Sequence, residues 1–159
     1  MGTRIETATT AALDAAERAL DAVQAMTDVV AVLKDHLPAY AWVGIYLLEG
    51  DELVLGPFLG KPSPHVRIPL NRGICGAAAS QRQTIVVDDV HADARYLACS
   101  LETKSEIVVP IMRDGRVFGE IDIDSDQPAA FGPADRAMLE RVADALAARL
   151  AVSGRGTPA

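Results

Sequence analysis

The sequence is poor in the residues that mark several specialised protein classes. Among its 159 residues only two are cysteines, and only 4% are aromatic. Two cysteines are too few for a fold held together by disulfides. Acidic residues outnumber basic ones, 22 to 15, and the net charge is −7. This balance argues against nucleic-acid binding, because phosphate contacts need clustered Lys and Arg.

Long apolar runs and targeting signals are also missing. No stretch approaches the roughly 20 apolar residues that a transmembrane helix needs. Residues 1–6 lack the apolar core of a signal peptide, and Glu6 stands where a myristoylation motif requires Ser or Thr. We therefore expect a cytoplasmic protein with no membrane partner. In that reducing compartment the two cysteines are expected to be buried apolar residues, metal ligands or working thiols.

Length and periodicity together predict a single domain over residues 1–152. Residues 1–38 are predicted to form one long N-terminal helix, because apolar residues recur there at alternating steps of three and four. They form one apolar stripe, which consists of Leu13, Ala16, Leu20, Val23, Met26, Val30, Leu33 and Leu37. Residues 40–132 are predicted to form a sheet with a pocket, and residues 133–150 a C-terminal helix that opens on Pro133. Residues 153–159 are expected to be a flexible tail.

The central segment has the composition of short strands. A hairpin is predicted around Arg113-Asp114-Gly115, and a helix of small residues is predicted over 74–81. The resulting order of elements favours an α+β fold in which helices pack on one side of an antiparallel sheet. The two terminal helices would lie together. Their apolar faces indicate either a homodimer interface or ordinary coverage of the core.

Three carboxylates alternate along the predicted strand 116–124. A period of two places Glu120, Asp122 and Asp124 on one face, with Ile121 and Ile123 on the other. This face is either the solvated side of a half-buried strand or a carboxylate group that lines a pocket. In a pocket, crowded like charges would raise one of the pKa values. Glu106, on the neighbouring strand of the hairpin, is positioned to join this group.

Trp42 and Tyr46 lie four residues apart in the first strand and so share a face. Spacing of this kind is typical of core packing. The alternative is an aromatic wall around a ligand that carries sulfur, because sulfur makes favourable contacts with aromatic rings.

The two cysteines occupy different settings. Cys75 is flanked by Gly73 and Gly76 at the predicted start of the short helix, where a helix N-terminus would lower a thiol pKa, although a small residue in tight packing explains it equally well. Cys99 lies in the long irregular segment 88–105. Loops of that length inside a compact domain are usually functional, which makes Cys99 the better candidate nucleophile.

The sequence shows no recognisable metal or cofactor motif. The four potential zinc ligands are spaced by ten, sixteen and eight residues, which matches no common zinc pattern; they are His65, Cys75, His91 and Cys99. The G-x-S-x-G, P-loop and dinucleotide fingerprints do not occur either. We therefore expect neither a metal nor a bound cofactor.

Eight blocks in order, between about residues 40 and 132, resemble the free methionine-(R)-sulfoxide reductases, which are stand-alone GAF-domain enzymes. The blocks are 42–46 (Trp-Val-Gly-Ile-Tyr), 55–58 (Leu-Gly-Pro-Phe), 67–69 (Arg-Ile-Pro), 73–76 (Gly-Ile-Cys-Gly), 89–91 (Asp-Val-His), 98–99 (Ala-Cys), 105–110 (Ser-Glu-Ile-Val-Val-Pro) and 122–125 (Asp-Ile-Asp-Ser).

The resemblance implies a GAF-like fold, with a central antiparallel sheet, terminal helices on one face and a loop-covered pocket on the other. It assigns Cys99 as the catalytic thiol and Cys75 as a second cysteine able to exchange disulfides. Glu106, Asp122 and Asp124 match the pocket carboxylates, and Trp42 and Tyr46 match the aromatic wall.

The chain departs from the family at one place. Members often carry a resolving cysteine just before the Arg-Ile-Pro block, where this chain has His65. Regeneration of the oxidised Cys99 would therefore fall to Cys75 or to an external dithiol such as thioredoxin. The alternative to catalysis is a GAF sensor that binds a small ligand and passes a helix movement to a partner.

Overall fold

The computed structural model describes residues 2–97 and 102–152, over which the chain forms a six-stranded sheet with helices on both faces. In chain order the elements are α1 (Gly2–Arg18), α2 (Ala22–His36), β1 (Trp42–Glu49), β2 (Glu52–Leu59), β3 (Arg67–Pro69), α3 (Gly73–Gln81), β4 (Ile85–Val87), β5 (Ser105–Arg113), β6 (Arg116–Ser125) and α4 (Pro133–Val152). The predicted tail 153–159 lies outside the described residues.

The N-terminal segment forms two helices, so the prediction of one continuous helix over 1–38 is wrong. The chain breaks after Arg18, and Asp21 starts the second helix by accepting a hydrogen bond from the backbone N–H of Gln24 at 2.8 Å. An Asp in this extended conformation is a favoured helix N-cap. Leu20, which the periodic pattern placed on the apolar stripe, lies in the break and is 97% exposed. The local capping preference of Asp21 thus outweighs the longer apolar period.

All strand pairs are antiparallel, in the order β3-β2-β1-β6-β5-β4. The central hairpin β5–β6 turns at Asp114 and Gly115, which have φ of 54° and 78°. Two successive residues with positive φ make the turn whose twist suits a tight hairpin, and Asp-Gly is a preferred pair for it. The hairpin predicted around these residues is therefore confirmed.

One face of the sheet forms the main hydrophobic core. Its residues alternate along β1, β5 and β6, and they include Ile45, Ile107, Ile121 and Ile123, each with no exposed surface. Helices α2 and α4 pack against this face, and α1 packs on α2 and α4 and extends the same core. This arrangement confirms the predicted α+β fold with the N- and C-terminal helices on one side of an antiparallel sheet.

Helix α3 packs on the opposite face, where it joins a second and smaller apolar cluster. Gly76 permits the close packing, because a Cβ at this position would stand 2.8 Å from the carbonyl oxygen of Leu70 and 2.9 Å from that of Pro69. Only glycine fits at such a separation from backbone atoms. The neighbouring Cys75 is thereby held against the sheet. Among the described residues no helix is long and apolar enough to cross a membrane.

Candidate active site

Four carboxylic acids lie together on the face of the sheet that α3 covers. In the β5–β6 ladder Glu106 is paired with Asp124, and in the β1–β6 ladder Asp122 and Glu120 are paired with Gly44 and Tyr46. Because residues paired across a ladder project to the same side, all four acids face away from the main core. Their exposed fractions are 5% for Glu106, 0% for Glu120, 2% for Asp122 and 4% for Asp124. The solvated-strand interpretation is therefore wrong, because all four acids are buried.

Burial dominates the electrostatics of these acids. It raises the pKa values of Glu106, Glu120 and Asp124 well above the usual range, and the negative charge of Asp122 raises each of them further. Burial also raises the pKa of Asp122, but Glu106 and Cys75, which can donate hydrogen bonds to it, act in the opposite direction. The hydrogen bonds that reach Asp122 therefore partly offset the effect of burial on its pKa.

Several oxygen atoms of this group lack a partner among the described residues. Both carboxyl oxygens of Glu120, Oδ1 of Asp122 and Oδ1 of Asp124 are buried without a hydrogen bond from any residue in 2–97 or 102–152. A buried polar atom without a partner costs about 1–3 kcal/mol, more if it is charged. These oxygens are therefore able to accept hydrogen bonds from donors outside the described residues.

Cys75 lies at the centre of the acids. It is 6% exposed, and its Sγ, one oxygen of Glu106 and one oxygen of Asp122 lie within 4.8 Å of one another. Burial raises the pKa of the Cys75 thiol well above its usual value, and the charges of Asp122 and Glu120 add to this shift. Of the two interpretations of Cys75, a thiol pKa lowered by the helix N-terminus is wrong, because burial and the surrounding acids raise that pKa. The burial of Cys75 agrees with the other interpretation, a small residue in tight packing.

Trp42 and Tyr46 lie beside the acids, with ring centroids 6.4 Å apart. Each also holds the loop that follows β2. The indole Nε1 of Trp42 donates to the backbone oxygen of Lys61 at 2.9 Å, and the Tyr46 hydroxyl donates to the backbone oxygen of His65 at 2.7 Å. Both aromatic residues pack in the second apolar cluster, as the core-packing interpretation expects, and each also lines a cavity.

Two small cavities open next to the acids. One, of about 20 Å³, is bounded by Tyr46, His65, Cys75, Leu97, Glu106 and Asp122. The other, of about 100 Å³, is bounded by Trp42, Lys61, Ser63, Glu102, Thr103 and Asp124. Asp122 borders the smaller cavity and Asp124 the larger one. Because these two residues are successive on the same face of β6, the two cavities are neighbours along this strand.

Cys99, the candidate nucleophile, lies outside the described residues. The residues that flank this gap do line the cavities, Leu97 the smaller one and Glu102 the larger one. Glu102 also forms an ion pair with Lys61 at 2.8 Å, which joins its segment to the loop after β2.

Of the remaining predicted site residues, the structure brings together Cys75, Glu106 and Asp122, with Asp124 next to them and Trp42 and Tyr46 alongside. Glu120 was not predicted as a site residue, although it is the most buried of the four acids. The alternation along β6 had placed it on the same face as Asp122 and Asp124, but it was not among the residues assigned to the site.

The GAF domain model matches residues 12–150. A free methionine-R-sulfoxide reductase of Escherichia coli is 41% identical over 112 residues, which cover 70% of this chain and 67% of that protein. The chain belongs to the free methionine-R-sulfoxide reductase family of GAF-domain proteins. It is accordingly an oxidoreductase.

Solved structures in this family superimpose over most of the chain. The X-ray structure of the free methionine-R-sulfoxide reductase from Neisseria meningitidis, in complex with its substrate, has a TM-score of 0.90 at 37% identity and covers 96% of this chain and 92% of that one. A type II free methionine-R-sulfoxide reductase from Thermoplasma acidophilum has a TM-score of 0.79 at 43% identity, over 81% of this chain and 92% of that one.

Proposed function

We propose that this chain reduces free L-methionine (R)-sulfoxide to methionine, with Cys99 as the nucleophile. The observation that carries the proposal is the buried group of four acids beside an aromatic wall, in a chain whose relatives include a reductase solved with its substrate. Chain connectivity supports the role of Cys99. It follows Leu97 by two residues, a span of at most about 7 Å, and Leu97 lines the cavity that contains Asp122.

The acids are suited to hold the amino group of a free amino acid. An ammonium group brings three N–H donors and a positive charge, and the unpartnered oxygens of Asp122 and Asp124 require donors of that kind. Backbone N–H groups would bind the substrate carboxylate. A methionine sulfoxide within a polypeptide has no free ammonium group, so this contact favours the free amino acid.

The same group of acids can supply the proton that the reaction needs. In the first step the Cys99 thiolate attacks the sulfur of the sulfoxide, and the sulfoxide oxygen is protonated. The oxygen is then transferred to Cys99, which becomes a sulfenic acid, and methionine is released. The substrate sulfur gains two electrons and the cysteine sulfur loses two. Glu106, Asp122 and Asp124 are the candidate donors, and burial, which raises their pKa values, favours their protonated forms.

Regeneration of Cys99 requires a second thiol. Cys75 would condense with the sulfenic acid and release water, and a dithiol such as thioredoxin would then reduce the disulfide by exchange. The two Cα atoms must come within about 7 Å for this bond. Because the Cys75 thiol is held protonated, its attack also needs one of the adjacent acids to accept the proton. Direct reduction of Cys99 by an external dithiol avoids both requirements.

NADPH oxidation coupled through thioredoxin, with the R and S sulfoxides supplied separately, tests the proposed activity. We expect turnover with the R isomer only. The absence of R-selective turnover would contradict the proposal, and thermal stabilisation by an unrelated metabolite in that case would favour the sensor alternative.

A further inference from the structure

We propose that Cys75, Glu106 and Asp122 form a binding site for a thiophilic divalent cation such as Zn²⁺. The proposed ion is an inhibitor that occupies the site in place of the substrate, not a cofactor. The competition with substrate rests on the proposed function, whereas the binding itself does not.

The three ligand atoms come from three different elements. Sγ of Cys75 is on α3, and the carboxylate oxygens are from Glu106 on β5 and Asp122 on β6. All three atoms lie within 4.8 Å of one another. Tetrahedral zinc with sulfur at about 2.3 Å and oxygen at about 2.0–2.2 Å places its ligands roughly 3.5 Å apart. A contraction of about 1 Å, within the range of side-chain rotation, therefore forms the site.

The unpartnered oxygens point to a missing cation independently of this geometry. Glu120 is fully buried, and neither of its oxygens, nor Oδ1 of Asp122, has a hydrogen-bond partner in the described part of the chain. Glu120 also lies close enough for its charge to act on Cys75. A dication bound to Cys75 and Asp122 would place positive charge beside the unpartnered oxygens of Glu120 and Asp122.

The presence of a sulfur ligand decides the class of ion. Carboxylates alone would suit Ca²⁺ or Mg²⁺, but a thiolate selects zinc-class ions. Binding converts the Cys75 thiol to a metal thiolate and releases its proton to solvent, with no change of oxidation state. Sequence spacing cannot reveal this site, because its ligands are separated by 31 and 16 residues and are brought together only by the sheet and α3.

Occupation by the ion would block catalysis in the proposed scheme. Asp122 would coordinate the metal and could no longer bind the substrate ammonium group, and Glu106 could no longer carry the proton. Cys99 is not required for this binding. Inhibition should therefore depend on Cys75 and the acids rather than on the nucleophile.

Titration of the reduced full-length protein with Zn²⁺ by calorimetry, and with Cd²⁺ by ultraviolet thiolate-to-metal absorption, tests the proposal. We expect one ion per chain with at least one proton released, and the same stoichiometry in Cys99→Ser. Cys75→Ser should abolish the absorption band, and Glu106→Gln and Asp122→Asn, which keep the thiol, should each weaken binding at least tenfold. Methionine should compete with the ion in the wild-type protein.

The variants separate the possible failures. The proposed ligands would be wrong if Cys75→Ser bound the ion as tightly as the wild type, or if Cys99→Ser lost binding. Unchanged affinity in both Glu106→Gln and Asp122→Asn would show that the thiol binds the ion alone, which would also overturn the proposal. If the ion binds as expected while the chain lacks sulfoxide turnover, the metal site stands and the proposed function fails. If the chain reduces the sulfoxide but does not bind the ion specifically, the proposed function stands and the metal site fails.

Discussion

Glu106 on β5 lies directly opposite Asp124 on β6, and both carboxylic acids are buried on the same face of the sheet. The pairing is antiparallel, so the two side chains extend from adjacent strands into one space. Burial raises both pKa values well above the usual range, and the negative charge of Asp122 raises both further. The hairpin thus holds acids that are protonated at a pH where exposed carboxylates are ionised, and this property underlies the predictions that follow.

Glu120→Gln is expected to flatten the decrease in stability with rising pH. Because the pKa of Glu120 is raised in the folded state, the folded chain holds a proton that the unfolded chain releases above its own pKa of about 4.3. The stabilisation from this proton is complete below that pH and is lost as the pH rises towards the folded-state value. In the variant, the free energy of unfolding should therefore change less steeply with pH, by up to about 1.4 kcal/mol per pH unit.

Urea unfolding at a series of pH values between 4 and 9 measures this slope. Asp51→Asn, at an exposed turn, provides a control that also removes one negative charge. Parallel stability curves for the wild type and Glu120→Gln would show that Glu120 titrates in the folded chain as it does in the unfolded chain.

Asp122→Asn is expected to weaken binding of the substrate ammonium group. A hydrogen bond to a charged partner contributes about 1.5–3 kcal/mol, so kcat/KM for the R sulfoxide should fall roughly 10- to 100-fold. The N-acetylated sulfoxide, which lacks the ammonium charge, should be an equally poor substrate for both proteins.

This comparison is a double-mutant cycle between enzyme and substrate. If acetylation reduces kcat/KM of the variant as much as that of the wild type, Asp122 does not bind the amino group.

The carboxylate face shows how far sequence reasoning extends. Alternation along 116–124 correctly placed Glu120, Asp122 and Asp124 together, but it could not tell solvent from a pocket. That distinction depends on α3 covering the face, which is a tertiary contact. The sign of the Cys75 pKa shift was missed for the same reason, since the helix start is local whereas the burial and the acids come from distant strands. The prediction that Leu20 lies on the apolar face of one long helix was wrong for a different reason, because a single capping residue, Asp21, interrupts the helix.

Tyr46→Phe is expected to raise KM several-fold by releasing the loop after β2. Its hydroxyl bond to the backbone oxygen of His65, 2.7 Å long, would be lost, and a buried carbonyl contact of this kind contributes about 1 kcal/mol. Tyr40→Phe is the matched control. It removes an equally buried hydroxyl, bonded to Asp135 at 2.6 Å near the start of α4.

Thermal denaturation and steady-state kinetics on both variants separate the two effects. Tyr40→Phe should lower stability and leave KM unchanged. Equal KM values for the two variants would show that the Tyr46 hydroxyl serves stability alone.

Cys75→Ser is expected to preserve the first reduction and to slow thioredoxin-dependent recycling. The first step needs only Cys99 and the acids, whereas recycling through an internal disulfide needs the Cys75 sulfur. The initial burst and the steady-state rate can be separated by rapid quenching. An unchanged steady-state rate would show that Cys75 is a packing residue and that thioredoxin reduces Cys99 directly.

The central claim is that Cys99 receives the sulfoxide oxygen in a site supplied with protons by the buried acids. A single-turnover reaction without external reductant, followed by methionine quantification and mass analysis of the cysteine peptides, tests it most directly. The account predicts one methionine per chain from the R isomer and oxidation at Cys99, trapped as a sulfenic acid in Cys75→Ser. Methionine formation by Cys99→Ser, or oxidation that spares Cys99, would contradict it.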